Sequence, residues 1–310
     1  MTDKPSPVAV SVVIPLYNKA QFVERAIQSV LRQTIQDFEI IVVNDGSTDN
    51  GHEIVQQMTD ERIRLIRQTN AGVSAARNRG ITESRSNLVA FLDSDDEWMP
   101  ELLATILDLR RSYPEAGAYA TGYMIANAQG CLSLFRPRRL RCTEWTGIIP
   151  DYFRLGIGCV WSSAVAVSRN VFAKTGMFRT GITFGEDLDM WFRIALRFDI
   201  AYSATPMAIW HQDAMNRASN RIHEVTSPLR NSLAEIQRDG SIPATITTRA
   251  LSYIERHELS LIMYLCRNDG ELRRSMLAQW HRLHGTTWRW LACVGIAWLP
   301  TNLIAKLCRW

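Results

Sequence analysis

The sequence predicts an α/β protein: a mostly parallel sheet with helices on both faces, followed by a C-terminal helical region. Three observations carry this. Apolar, β-branched runs alternate with helix-spaced segments from residue 8 to about residue 111. Three of those runs end in polar or acidic turns, at Pro15 to Asn18, Asn44 to Asp49 and Asp93 to Asp96. After residue 220 the pattern changes to helices with polar connections.

Val8 to Ile14 is β-branched and reads as the first strand, broken by Pro15-Leu16-Tyr17-Asn18. Ala20 to Arg32 places Phe22, Val23, Ala26, Ile27, Val30 and Leu31 on one helical face. Phe38 to Val43 is the second strand. It runs into Asn44 to Asp49, a polar turn that can cap a helix beginning near Asn50. Ile63 to Ile66 is a short third strand. Asn70 to Ser74 forms a loop and cap, and a helix continues through Arg77 to about Thr82. Leu88 to Leu92 is the fourth strand, with Pro100 expected as the first residue of the helix after it. Ala118 to Ile125 and Val160 to Val167 read as further strands. A glycine-rich connection then enters a helix at Glu186 to Leu196, with acids in its first turn as the helix dipole favours. Ile200 to Trp210 is extended and ends at His211. Ser252 to Cys266 and Glu271 to Leu283 read as helices.

Composition narrows the class. A chain of 310 residues with 46% hydrophobic and 21% charged residues can bury a full core. A net charge of +4 is too small to argue for nucleic acid as a partner, although basic residues recur at Arg136 to Arg141 and at Arg273-Arg274. The six cysteines are scattered, which is neither a disulfide framework nor a zinc pattern and suits a reducing, cytoplasmic compartment. No cationic segment followed by a long apolar one opens the chain, so Val8 to Ile14 reads as a strand and not a signal peptide. Trp290 to Ile304 carries no charge but falls short of the ~20 residues a bilayer span needs. Its aromatic and cationic flanks, with Trp288 and Arg289 on one side and Lys306, Arg309 and Trp310 on the other, are those of a membrane-interface segment, with Arg289-Trp290 as anchors. Packing on the protein's own core, or a homodimer contact, is the alternative use of this tail.

The acidic turn Asp93-Ser94-Asp95-Asp96 is where chemistry is expected. A buried strand that ends in carboxylates puts them at the carboxyl edge of the sheet, where open α/β sheets bind ligands. Two aspartates at i and i+2 can hold a hard cation through oxygen and leave positions open for phosphates. Alone, such a turn is more often simply solvated.

The residues also carry a resemblance. Ser11 to Asn18, Glu39 to Asp49, Asn70 to Gly80 and Phe91 to Asp96, followed by Gly185-Glu186-Asp187-Leu188-Asp189-Met190-Trp191, resemble the successive blocks of the bacterial family two inverting glycosyltransferases with the GT-A fold. The likeness covers residues 9 to about 212. It implies a glycosyltransferase domain over residues 8–220, with a nucleotide-sugar half at 8–111 and an acceptor and catalytic half at 112–220. A helical extension at 221–285 and an apolar tail at 286–310 would follow. It implies transfer of one sugar, with inversion, from a nucleoside-diphosphate sugar donor to a glycan or lipid-linked acceptor, with Mg²⁺ or Mn²⁺ stabilising the diphosphate.

Site roles follow from the resemblance, position by position. Asp95 is the direct metal ligand, while Asp93 contacts the ribose or shares the metal through water. Ser94 belongs to the same nucleotide-sugar turn, and Asp96 caps it. Asp45 resembles the aspartate that hydrogen-bonds the base; a carboxylate there suits uracil, thymine or guanine, and UDP is the expected carrier. The usual pair at that turn is Asp-Asp, and here Asn44 replaces the first. Pro15 and Tyr17 line the base. Arg77 reaches the phosphates or pairs with a nearby carboxylate. Asp187 is the base, and Glu186 orients it or contacts the acceptor, unless both only cap the helix. His211 touches the metal or a phosphate, or is structural. The competing readings are a processive synthase of the same fold and a non-catalytic sugar-nucleotide binder in a membrane assembly complex. The first would carry a Gln-x-x-Arg-Trp motif, and at Thr286 to Trp290 the glutamine is missing.

Overall fold

A computed structural model describes residues 8–135, 145–155, 158–182, 184–213, 228–238, 240, 242–265 and 270–297. The basic run Arg136 to Arg141 and the end of the tail, including Pro300 and Lys306 to Trp310, lie outside the described residues. The chain divides into two compact units, Met1–Asn216 and Arg217–Trp310.

In the first unit the order is β1 (Val10–Leu16), α1 (Val23–Leu31), β2 (Phe38–Asp45), α2 (Gly51–Gln57), β3 (Ile63–Gln68), α3 (Val73–Glu83), β4 (Leu88–Phe91), β5 (Glu97–Trp98) and α4 (Leu102–Ser112). Then come β6 (Ala118–Ala126), β7 (Leu132–Leu134), β8 (Thr146–Ile148), α5 (Tyr152–Leu155), a 3₁₀ turn (Ser162–Ala164), β9 (Val165–Ser168), α6 (Val171–Thr175), α7 (Glu186–Ala195) and β10 (Ile200–His211). The strands form one sheet in the order β3-β2-β1-β4-β9-β6-β10-β5, with β7 beside β6 and β8 beside β10.

Strands β1 to β4 pair in parallel, as the alternation of strands and helices requires. Beyond β4 the sheet is mixed. Strand β9 runs antiparallel to both β4 and β6, and β10 is parallel to β6. The strand expected from Val160 to Val167 is shorter than its apolar pattern suggests. Ser162 and Ser163 turn the chain, because their hydroxyls hydrogen-bond to carboxylates on other elements. Pro100 stands two residues ahead of α4 instead of opening it; its carbonyl accepts from the Thr34 N–H at 2.9 Å.

Alternation along the strands sorts the core onto two faces. Val10, Val12, Ile14, Ile40, Val42, Leu88 and Ala90 pack with Val23, Ala26, Ile27 and Val30 of α1 and Leu103 and Ile106 of α4. On the opposite face Ile41 and Val43 meet Ala76 of α3. Phe91, facing the same way, packs edge-on against Phe178 at 5.3 Å and tilted to Trp191 of α7 at 6.2 Å. Helices therefore cover both faces. Gly80 lets α3 lie close on β1: a Cβ there would stand 2.2 Å from Cγ1 of Val13.

The second unit contains α8 (Pro228–Arg238), α9 (Ala244–Leu265), α10 (Gly270–His284) and α11 (Trp288–Ala297). Leu259, Ile262, Met263, Leu277 and Trp280 form its core, and Trp290, Cys293 and Val294 of α11 pack against it. Glu258 is buried, takes both Arg230 Nε and Nη2 at 2.7 Å, and accepts the Trp280 indole N–H at 2.8 Å. Arg289 and Trp290, expected as membrane-interface anchors, have partners within this unit. Arg289 pairs with Glu255 at 2.7 Å, and the Trp290 indole donates to the Leu277 carbonyl at 3.0 Å. Among the described residues no helix is long and apolar enough to cross a membrane.

Burial pushes His257 of α9 down to about 4, against a smaller opposing pull from Glu258. Its folded value lies below the ordinary 6.5, so the unfolded chain takes up the proton first and stability is lost as pH falls from 6.5 towards 4. Lowering the pH from 7 to 5 is expected to destabilise this unit by about 2 kcal/mol. Urea denaturation at both pH values checks this, and His257→Gln should flatten the difference.

Candidate active site

The site lies along one edge of the sheet, and the topology brings it there. The parallel strands β1, β2 and β4 end at this edge, as do β6 and β10. Strand β9, running the other way, begins at it. The first two strand-end loops are laced together. Asn18 sits at φ 50° and accepts from the Thr48 N–H at 2.8 Å, its own N–H donates to Ser47 Oγ at 3.2 Å, and the Ala20 N–H donates to Asp49 at 2.8 Å. Asn44 Oδ1 accepts from the Ser47 N–H at 2.9 Å, which closes the polar turn. Asparagine thus does the local work at the position where an aspartate was expected.

Asp45 is buried at the end of β2. Its Oδ1 accepts from Gln68 Nε2 at 2.7 Å and the Ala71 N–H at 2.9 Å, and its Oδ2 from the Gly72 N–H at 2.8 Å. A carboxylate offers about four lone-pair directions, so roughly one remains for a ligand. Much of its bonding fixes the loop that leads into α3. Pro15 is buried within β1 opposite Val43. Tyr17, 44% exposed, is the side chain that offers a surface at this edge.

The acidic turn after β4 separates into distinct environments. Asp93 accepts from Arg77 Nη2 at 2.8 Å, and its N–H donates to Ser163 Oγ at 3.1 Å. Asp95 is paired with Lys19 Nζ at 2.6 Å. Asp96 is buried, with Ser163 Oγ at 2.6 Å on one oxygen and the His211 N–H at 3.2 Å on the other. Burial, then the charges of Asp95 and Asp93, push its pKa well above the usual carboxylate range. That fits the structural role expected for it. Ser94 has its side chain buried in the turn.

Arg77 shows the second of its two expected readings, a pairing with nearby carboxylates. It is buried, donating to Asp93 with one nitrogen and to Glu186 Oε1 with the other at 2.9 Å, and its guanidinium lies 5.3 Å from the Phe178 ring centroid. Burial alone would lower its pKa; the carboxylates of Asp93, Glu186 and Asp187 outweigh that and hold it above its ordinary value. Glu186 is raised by burial and by Asp187, against the pull of Arg77.

Asp187, half-buried in the first turn of α7, uses Oδ1 for the Leu188 N–H at 2.7 Å and Oδ2 for the Ser162 hydroxyl at 3.0 Å. It therefore satisfies one backbone amide of the helix start and keeps acceptor capacity to spare. His211 Nε2 lies 3.1 Å from Glu97 Oε2, so its ring is engaged beside the acidic turn. The donors at this turn suit a hard divalent cation in kind, since Asp93 and Asp95 offer carboxylate oxygens. Among the described residues no three His, Cys, Asp or Glu side chains converge as a metal cage.

Four residues escaped the sequence reading: Lys19, Arg25, Ser162 and Ser163. The serine pair was the readable one, because two adjacent hydroxyls inside an apolar run need buried partners. A row of rings lies next to it. Trp161 is 4.8 Å from Tyr123 and 6.1 Å from Trp210, and Tyr123 stacks on Phe135 at 4.5 Å.

Comparison with known proteins agrees with this architecture. The profile of the family described as Glycosyl transferase family 2 matches residues 11–174, more than half of the chain, and the chain belongs to that family. The uncharacterized glycosyltransferase EpsJ of Bacillus subtilis is 48% identical over 89 residues, covering 28% of this chain and 26% of EpsJ. The uncharacterized glycosyltransferase YibD of Escherichia coli is 44% identical over 101 residues, covering 32% of this chain and 29% of YibD. The matched stretch thus spans less than a third of either relative. Among solved structures, S. aureus TarS 1-349 in complex with UDP-GlcNAc superimposes with a TM-score of 0.68 at 16% identity, covering 96% of this chain and 83% of that one. The mannosyltransferase PcManGT from Pyrobaculum calidifontis in complex with GDP-Man and Mn²⁺ gives 0.61 at 17% identity, covering 98% and 85%. The mixed sheet and its helices are thus a GT-A fold, carried here by a member of the glycosyl transferase family 2.

The Arg77 arrangement predicts its own sensitivity. Arg77→Met leaves two carboxylates without their shared counter-ion and is expected to cost about 3–5 kcal/mol of stability. Arg77→Lys should recover only part of this, because an ammonium cannot reproduce the two-sided guanidinium fork. Equilibrium denaturation of the two variants measures both.

Proposed function

We propose that this chain transfers a single sugar, with inversion, from a nucleoside-diphosphate sugar to a hydroxyl of a glycan or lipid-linked glycan. One observation carries the reading: the acidic turn after β4 and the acidic start of α7 meet through Arg77, so a carboxylate pair for the donor and a candidate base share one sheet edge. The solved complexes of fold neighbours with UDP-GlcNAc and with GDP-Man and Mn²⁺ support a nucleotide-sugar donor.

In this reading Tyr17 and the remaining acceptor position of Asp45 meet the base, for which uracil is our first choice. Asp93 and Asp95 hold the diphosphate end, and they are the residues that would bind Mg²⁺ or Mn²⁺. When bound, such a cation neutralises the charge that grows on the departing phosphate oxygens. Asp187 accepts the proton of the acceptor hydroxyl as that oxygen attacks the anomeric carbon from the side opposite the diphosphate, in one displacement. Ser162 fixes which oxygen of Asp187 faces the protein. Glu186, tied to Arg77, holds the first turn of α7 in place. His211 stays with Glu97 and supports the turn. Trp161 and Trp210 present partly buried indoles beside Ser162, and aromatic faces of this kind suit the apolar faces of sugar rings in an acceptor.

Asp187→Asn is expected to lower sugar transfer at least about 10³-fold while leaving nucleotide affinity within about twofold. Donor consumption across a panel of nucleotide sugars, alongside calorimetric nucleotide binding, tests this. An active Asp187→Asn variant would remove the base assignment. Binding of nucleotides with no turnover on any donor and acceptor would favour the non-catalytic reading instead.

A further inference from the structure

The acidic turn carries counter-ions supplied by the chain itself. Lys19, in the loop after β1, places Nζ 2.6 Å from Asp95 Oδ2. Arg25 of α1 donates through Nη2 to the Asp95 carbonyl at 2.6 Å, and its Nη1 lies 3.4 Å from Asp213. Both cations flank the Phe22 ring, at 5.9 Å and 5.4 Å from its centroid. Lys19 and Asp95 keep only 12% and 18% of their side-chain surface, so the pair is screened less than a surface ion pair. Asp93 pairs with Arg77, which it shares with Glu186. Each of the two aspartates thus already faces a cation of the chain, and the charges of the turn are partly balanced.

This balance has a consequence for any cation that takes Asp95. A divalent cation arriving alone must displace the ammonium or sit beside it, and like charges at contact repel strongly. One that arrives with a diphosphate brings negative charge, and that charge gives the displaced ammonium a new partner. The loop that carries Lys19 is also short, so the ammonium stays within reach of anything bound at the turn.

We propose that Lys19 competes with the divalent cation for the Asp95 carboxylate, and so makes metal binding depend on a nucleoside diphosphate whose phosphate oxygens accept the released ammonium. This deepens the donor-site reading above and rests on it. Lys19 is then a coupling residue: it sets how strongly metal and nucleotide favour each other, a relation that must be reciprocal.

The test measures binding, not turnover. Free Mn²⁺ is titrated into the full-length protein by electron paramagnetic resonance, alone and with saturating UDP, and with GDP in parallel. Wild type is expected to bind Mn²⁺ at least about tenfold more tightly with the nucleotide than without it. Lys19→Met should bind Mn²⁺ alone roughly three- to tenfold more tightly, and the nucleotide enhancement should shrink by a similar factor. Lys19→Gln repeats the loss of charge with a smaller change of shape, and Lys19→Arg should retain the enhancement. The inference is overturned if the neutral variants match wild type in both conditions, if they bind Mn²⁺ alone more weakly, or if wild type shows no enhancement. Asp95→Asn separates the two levels, since it should lose Mn²⁺ in both conditions. If it binds Mn²⁺ as wild type does, or if neither UDP nor GDP binds wild type, the donor-site reading itself fails, whatever Lys19 does.

Discussion

The buried guanidinium of Arg77 is the interaction on which the site's shape depends. A cation taken out of water costs several kcal/mol unless its partners are placed for it. Here the partners come from opposite ends of the domain, Asp93 after β4 and Glu186 at the start of α7. Neither can move away without leaving a buried charge uncompensated. The donor-side turn and the helix that carries Asp187 are therefore held in one mutual position by a single side chain. Phe178, Phe91 and Trp191 pack beneath it and exclude water, which strengthens the electrostatics further.

Around that strut the hydroxyls act as fine positioning. Ser163 ties Asp93 and Asp96 to the start of β9, and Ser162 ties Asp187 to the same turn. Three aspartates crowded into four residues would repel one another if all were ionised. Burial and its neighbours push the pKa of Asp96 up, and Arg77 and Lys19 stand against the other two. The protein itself thus offsets much of the repulsion in the turn.

Much of this was readable from the chain. Apolar, β-branched runs marked β1, β2 and β6 within a few residues, because strands buried on both sides need continuous apolar sequence. The helix at Glu186 was legible from its apolar spacing and its acidic first turn. What was not legible depended on partners distant in sequence. Arg77 looks the same whether it awaits a phosphate or a carboxylate 109 residues away. The burial of Pro15, the three donors on Asp45 and the pairing of His211 with Glu97 are likewise settled by neighbours that no local pattern encodes. Strand direction was hidden for a simpler reason: an apolar run reads the same forwards and backwards, so β9 gave no sign that it is reversed. In α11, apolar character suggested lipid, and the partners that α9 and α10 give Arg289 and Trp290 lie too far along the chain to be read from it.

That reversed strand has a consequence for how such a scaffold diversifies. Most loops at the ligand edge leave a strand there, so their far ends are anchored only further along the chain. The segment ending at Trp161 arrives at the edge, and β9 then clamps it at once between β4 and β6. Insertions or deletions upstream of Trp161 can be absorbed before they reach Ser162. The chain can thus vary the segment that leads to this edge while the carboxylates beside it keep their register, which separates change in the surroundings of the site from the upkeep of its geometry.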